Sequence, residues 1–133
     1  MPDVLAVGFQ EVALHLSSLL LHDPWTRAVD RVLRLWDFVR VKQHRMQGIL
    51  LLVYCKRSLV PEIRGLQSTQ TKTGISQLFG SKGAISVSCK ISGVSFVITC
   101  AHLSAHQEKN ENRVRDYATI IDEQVSSGTE VIY

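Results

Sequence analysis

The sequence predicts a layered α/β or α+β sandwich, and three observations carry that prediction. Ala84 to Ile91 alternates apolar and polar side chains, and Val94 to Cys100 continues as a strand after Ser92-Gly93; this is the pattern of a hairpin with a buried face. Val4 to Phe9 and Gly48 to Cys55 are nearly continuous apolar runs, as in strands buried within a sheet. Around them lie two stretches with apolar residues at helical spacing, Trp25 to Trp36 and Glu108 to Val125. Strands outnumber helices and come in antiparallel-looking runs, so the helices are expected to cover sheets.

Taken in order, Val4, Leu5, Ala6, Val7 and Phe9 form the first strand, covered on both faces, with Gln10-Glu11 at its carboxyl end. Residues 13–22 are read as a helix or as a loop with a helical turn. Asp23-Pro24-Trp25 is a helix start, because Asp23 can cap and Pro24 has no N–H to lose in the first turn. Trp25, Val29, Val32, Leu33 and Trp36 then share one face, expected to be core. Asp37 to Met46 alternates loosely as a strand, and Gly48 to Cys55 is the candidate for the sheet centre. Leu59 to Leu66 is a further strand, opened by Pro61 and interrupted by Gly65. Gln67 to Ser81 is rich in hydroxyls and glycine and reads as a polar loop. After the hairpin, the last helix presents Val114, Tyr117, Ala118, Ile121 and Val125 on one face and charges on the other. Gly128 ends it.

The 133 residues suit one domain. An apolar fraction of 45% with 20% charged residues excludes a disordered chain. No apolar run approaches the roughly 20 residues that a spanning helix needs, and no basic region precedes the first apolar stretch as a secretory signal would require. The net charge of +3 permits an anionic partner without demanding one. Cys55, Cys89 and Cys100 form no CxxC pair, so no zinc knuckle or redox dithiol is indicated, and three buried thiols suit a reducing, cytoplasmic setting.

Four places could carry chemistry. Glu11 follows a strand, on the rim where ligands of α/β proteins bind, and a carboxylate is the hard oxygen ligand that magnesium uses. Its ordinary alternative is an exposed rim Glu. His102 and His106 close the block Ala101-His102-Leu103-Ser104-Ala105-His106. Without an HExxH pattern or a third spaced ligand zinc is a poor fit, whereas a strand-end His can act as general acid or base. One loop His and one core His would explain the pair as well. Gly80-Ser81-Lys82-Gly83-Ala84 lets a backbone approach an anion beside a lysine, although it is no Walker A loop, since a strand follows it. Thr69 to Gly74 offers many donors, or is simply a hydrophilic loop. No nucleophile elbow or dinucleotide fingerprint occurs.

Read together, Asp3-Val4-Leu5-Ala6-Val7-Gly8-Phe9-Gln10-Glu11, Arg45-Met46-Gln47-Gly48-Ile49-Leu50-Leu51, Thr73-Gly74 with Gly80-Ser81-Lys82-Gly83-Ala84, and His102-Leu103-Ser104-Ala105-His106 resemble, in order, the inositol polyphosphate 5-phosphatases of the endonuclease/exonuclease/phosphatase superfamily. The second block looks most like the skeletal-muscle- and kidney-enriched subgroup. The resemblance implies a four-layer α/β/β/α sandwich of DNase I-like type with mostly antiparallel sheets. It implies Mg²⁺-dependent removal of the 5-phosphate from phosphoinositides or inositol polyphosphates. By resemblance Glu11 is the magnesium ligand and a catalytic residue, and His102 is the catalytic histidine. His106 lies near the substrate, and Lys82 with Ser81 binds it. Contact with a membrane is expected only peripherally, through substrate, and no nucleic acid is expected.

Two residues depart from the family pattern: Ser81 and Cys100 each stand where the family usually has Asn. The family's Trp-x-Gly-Asp-x-Asn-x-Arg, Pro-x-Trp-x-Asp-Arg and Ser-Asp-His motifs do not occur. The resemblance thus makes residues 1–133 the N-terminal half of such a domain, expected to be inactive by itself and to leave one sheet uncovered. A non-catalytic phosphoinositide- or protein-binding fragment and a superfamily nuclease remain the alternatives.

Overall fold

The computed structural model describes residues 2–12, 23–73 and 82–126. The 13–22 segment, Gly74 to Ser81 and the stretch from Ser127 to Tyr133 lie outside them, and with them Ser81 and the segment after Gly128. Two three-stranded antiparallel sheets form the centre. The first has β1 (Val4–Phe9), β2 (Phe38–Met46) and β3 (Ile49–Lys56) in the order β1-β3-β2. The second has β4 (Ile63–Lys72), β5 (Gly83–Ile91) and β6 (Val94–His102) in sequence order. A short 3₁₀ helix, Arg57–Glu62, joins the sheets.

β3 is apolar throughout because both of its faces are covered. Ile49, Leu51 and Val53 meet Ile85 and Val87 of the second sheet, together with Met46. Leu50, Leu52 and Tyr54 point the other way, toward Val29 and Leu33 of helix α1 (Pro24–Arg34). Helix α2 (Asn110–Ser126) lies on the outer face of the second sheet, where Gln124 donates to the Ser86 hydroxyl. The layers therefore run α1, sheet, sheet, α2. No sheet is left bare, contrary to expectation, because each carries its own helix within these residues.

The hairpin between β5 and β6 forms as anticipated. Ser92 and Gly93 both have positive φ, 50° and 84°, which matches the right-handed twist of the paired strands. Asp23 caps α1, accepting the Trp25 N–H at 2.9 Å, with Pro24 in the first turn.

Five further expectations need correction. The strand expected over Leu59 to Leu66 begins only at Ile63, because Leu59 to Glu62 close the 3₁₀ helix around Pro61. β1 is an edge strand among the described residues and is only half-buried, with Ala6 and Gly8 exposed. Gln67 to Lys72 is the paired second half of β4, not loop, since its backbone completes the ladder with β5. The stripe on α1 is only partly core. Val29 and Leu33 are packed, while Trp25, Val32 and Trp36 remain exposed and Trp25 leans on Phe9 with ring centroids 5.5 Å apart. On α2 the inward face is Asp116, Ile120 and Gln124, while Val114 and Tyr117 face outward. The outer surface of the second sheet explains this: it presents Ser86 and Thr99, whose hydroxyls share a hydrogen bond of 2.8 Å, so it accepts a helix face that can hydrogen-bond back.

Candidate active site

Glu11, Lys82 and His102 meet at one end of the sandwich. Each arrives there by strand geometry. Ile98 and Cys100 on β6 face the core between the sheets, and side chains two residues apart share a face, so His102 continues that row and caps the core at 9% exposure. Gly83 pairs with His102 across the β5–β6 ladder, which brings the preceding Lys82 alongside. Glu11 follows β1 of the other sheet. Its backbone turns into the left-handed region, φ 57°, and leaves its carboxylate 81% exposed at the rim.

The two sheets are clipped together here. Gln10 Nε2, from the first sheet, donates to the Ala101 carbonyl of the second at 2.6 Å, and within the first sheet the Val12 N–H donates to the Gly48 carbonyl at 2.9 Å, fixing the chain after β1. Gly48 packs against the Glu11 backbone, its missing Cβ position lying 3.6 Å from the Glu11 Cα. Gly83 is under the strictest demand. Its φ is 143°, and a Cβ would lie 2.1 Å from the Thr71 carbonyl oxygen. That close approach sets the backbone path on which Lys82 sits, and Thr73 secures it by donating its N–H to the Lys82 carbonyl at 3.2 Å.

Lys82 Nζ is 2.6 Å from His102 Nε2, and Glu11 Oε1 is 3.6 Å from the same nitrogen. An ammonium can only donate, so Nε2 accepts the hydrogen bond from Lys82 and the ring N–H belongs on Nδ1. That Nδ1 is buried and has no hydrogen-bond partner among the described residues. The hydroxyl of Thr73, whose N–H bonds the Lys82 carbonyl, is likewise buried and unpartnered among them. Buried polar atoms are normally paired, so this end of the sandwich is built to receive further polar groups.

His106 does not join the cluster. It lies in the loop after β6, exposed, with φ 77°. The expectation that it approaches substrate rests on the resemblance alone. Its backbone is nevertheless fixed: Arg113 donates to the His106 and Gln107 carbonyls, and Asp116 accepts from the Ser104 N–H at 2.9 Å and its hydroxyl at 2.7 Å. Ser81 lies outside the described residues. Cys100 packs against Gly8 and the core, and burial pushes its thiol pKa up.

Sequence reasoning missed the supporting residues. Gln10 was visible only as a neighbour of Glu11. Asp116 and Arg113 were hidden by the stronger apolar stripe beside them, although their spacing from Gln124 and Ile120 is helical. Thr71 and Thr73 belong to the donor-rich stretch that the sequence marks, but their burial is not legible in it.

Among the described residues, no group of three His, Cys, Asp or Glu side chains is placed to hold a metal. One free carboxylate at a rim suits magnesium, which keeps waters and substrate phosphate in its shell. It does not suit a closed protein cage.

Comparison with known proteins agrees with this architecture. The model of endonuclease/exonuclease/phosphatase family 2 matches residues 1–132. Inositol polyphosphate 5-phosphatase K of Mus musculus is 32% identical over 133 residues, covering 97% of this chain and 28% of that protein. Phosphatidylinositol 4,5-bisphosphate 5-phosphatase A of Homo sapiens is 34% identical, covering 95% of this chain and 13% of its own length. Among solved structures, the inositol polyphosphate 5-phosphatase domain of spSynaptojanin, in complex with inositol (1,4)-bisphosphate and a calcium ion, superposes with a TM-score of 0.75 at 29% identity. The overlap covers 89% of this chain and 36% of that one. The chain thus spans well under half the length of these relatives. On a family match that runs nearly end to end, the protein belongs to the endonuclease/exonuclease/phosphatase family, and its relatives there are inositol polyphosphate 5-phosphatases.

Proposed function

We propose that residues 1–133 act as the N-terminal half of a 5-phosphatase domain and carry the Glu11, Lys82 and His102 part of its site. The substrate would be a phosphoinositide or a soluble inositol polyphosphate, met peripherally at a membrane in the first case, and the metal Mg²⁺. The observation that carries this reading is the meeting of a rim carboxylate, an ammonium and a buried imidazole where the two sheets open.

Each group has a distinct part. Glu11 would hold the magnesium ion. When bound, the ion neutralises phosphate charge and polarises a phosphoryl oxygen. Lys82 supplies a positive charge that draws a phosphate dianion and holds it in register. Once a phosphate draws Lys82 away, the Nε2 lone pair of His102 would be freed to take a proton from water, and the protonated ring could hydrogen-bond phosphoryl oxygens. The clip from Gln10 to Ala101 keeps Glu11 and His102, which come from different sheets, at fixed separation. Ser81 and His106 are expected to touch the substrate.

The test is calorimetric binding of inositol 1,4,5-trisphosphate with Mg²⁺. Binding should be weakened by EDTA, and about tenfold by either Glu11→Gln or Lys82→Ala, the loss expected for one charge-assisted contact. Binding indifferent to EDTA and to both substitutions would overturn the assignment. The isolated chain is expected to bind without turnover, and phosphate release by it would overturn the division of the site between two halves.

A further inference from the structure

A second cationic site lies at the opposite end of the sandwich. There α1 and the first sheet enclose a cavity of about 360 Å³ lined by Asp30, Arg34, Phe38, Arg40, Tyr54 and Arg57. Its volume is within the range of small-molecule sites. The register Arg40↔Tyr54 and Phe38↔Lys56 puts it at the far end of β3 from Met46↔Ile49, which borders Glu11. Tyr54 lies five residue steps along β3 from Ile49, roughly 17 Å. It is therefore not an extension of the Glu11–His102 cluster.

Its charges are not balanced internally. Asp30 is fully engaged: Oδ1 accepts the Tyr54 hydroxyl at 2.8 Å, and Oδ2 lies 3.4 Å from Arg40. The Arg57 guanidinium bonds Asp37 through Nε at 3.1 Å, and its two terminal nitrogens make no hydrogen bond among the described residues. The guanidinium of Arg34, one helical turn beyond Asp30, makes no hydrogen bond or ion pair among the described residues. The carbonyl end of α1, which would repel an anion, is partly answered by Lys56, whose Nζ donates to the Trp36 carbonyl at 2.6 Å. Among the residues lining the cavity, three cations, Arg34, Arg40 and Arg57, thus face one carboxylate, Asp30. The excess of two positive charges matches one phosphate monoester dianion. Guanidinium forks from two different elements suit its oxygens, and Phe38 and Tyr54 give the cavity a buried aromatic floor.

We propose that this cavity is a second, non-catalytic binding site for a phosphate monoester, held between Arg34 and Arg57 with Arg40 behind them. The monoester belongs either to a soluble phosphorylated metabolite or to a lipid headgroup.

The experiment titrates inorganic phosphate into the chain carrying Lys82→Ala, which silences the first cluster. Binding should persist in that background and weaken about tenfold on Arg34→Glu and on Arg57→Glu, as loss of one bidentate contact implies. Arg34→Gln, a milder change on an exposed helix position, should weaken it in the same direction and guards against misfolding by charge reversal. Glycerol 3-phosphate and phosphatidylcholine vesicles bearing phosphatidic acid then separate the sources. Arginine-dependent capture of the vesicles alone assigns a headgroup, and arginine-dependent binding of glycerol 3-phosphate alone assigns a metabolite. Absence of phosphate binding in the Lys82→Ala background would overturn the proposal. So would affinity unchanged by all three arginine substitutions.

Discussion

Lys82, His102 and Gly83 are three residues whose roles depend on tenths of an ångström. The 2.6 Å contact from Lys82 Nζ to His102 Nε2 is possible only because Gly83 lets β5 pass against the Thr71 carbonyl. Gly83→Ala would place a methyl group 2.1 Å from that oxygen, so the strand end must move. The expected cost is about 3 kcal/mol or more, read as a lower urea midpoint, together with weaker binding of inositol phosphate because Lys82 is displaced. Stability unchanged by Gly83→Ala would show that the β4–β5 pairing is not as tight as described. Asp23 makes a comparable point. It caps α1 and also bonds Arg45 while being 4% exposed. Asp23→Ala is expected to cost about 3 kcal/mol, combining a lost cap with a half-buried arginine deprived of this carboxylate. Melting of the variant in urea checks it. At this scale the sequence was informative for Asp23-Pro24, Glu11, Lys82 and His102, since each sits beside a turn or cap signal. It did not show what Gln10, Thr71 and Asp116 meet, because a contact with a residue far along the chain leaves no local pattern.

At the scale of elements, α2 shows how tertiary context overrides a periodic pattern. The apolar row Val114, Tyr117 suggested the buried face, yet both are more than half exposed, and Asp116, Ile120 and Gln124 lie inward. The second sheet offers hydroxyls rather than a greasy surface there, so the helix that can satisfy them wins. The two faces can be told apart by substitution. Tyr117→Ser should change stability by less than about 0.5 kcal/mol, whereas Ile120→Ala should cost about 2–4 kcal/mol. Equal effects in chemical denaturation would mean that the helix is rotated from the orientation seen here. Asp116→Ala should cost about 2 kcal/mol, since it strands the Ser104 N–H and hydroxyl. It should also speed hydrogen exchange in residues 103–109, the loop that follows His102.

At the scale of the whole molecule, burial governs the response to pH. Cys55 and Cys89 are buried, and burial raises their thiol pKa above the ordinary 9.0. Tyr54 is raised further, first by burial and then by its hydrogen bond to Asp30. Each of these groups is neutral when protonated, so a raised folded value favours the native state below the unfolded pKa. That contribution is complete at neutral pH and is lost as the pH climbs through the folded values. Stability is thus expected to hold level from pH 7 and to fall above about pH 9, as followed by urea midpoints. A stability maximum near pH 10 would contradict the buried setting of these side chains. Cys55, fully enclosed, should react with a thiol reagent only as fast as the molecule opens.

By itself the sequence determined the elements that are locally encoded. The capped α1, the central β3, the β5–β6 hairpin with its Ser92-Gly93 turn and the strand ends bearing Glu11 and His102 all follow from short-range patterns of burial and turn chemistry. Only the tertiary structure decided which face of each helix is inside and that β4 runs on through Gln67 to Lys72. It alone decided, too, that Glu11, Lys82 and His102 meet while His106 stays apart, and that Arg34, Arg40 and Arg57 gather around one cavity. The physical reason is the same in each case. These outcomes depend on what stands opposite a residue across two packed sheets, and the partner that satisfies a hydroxyl, a carboxylate or a guanidinium is dozens of residues away along the chain.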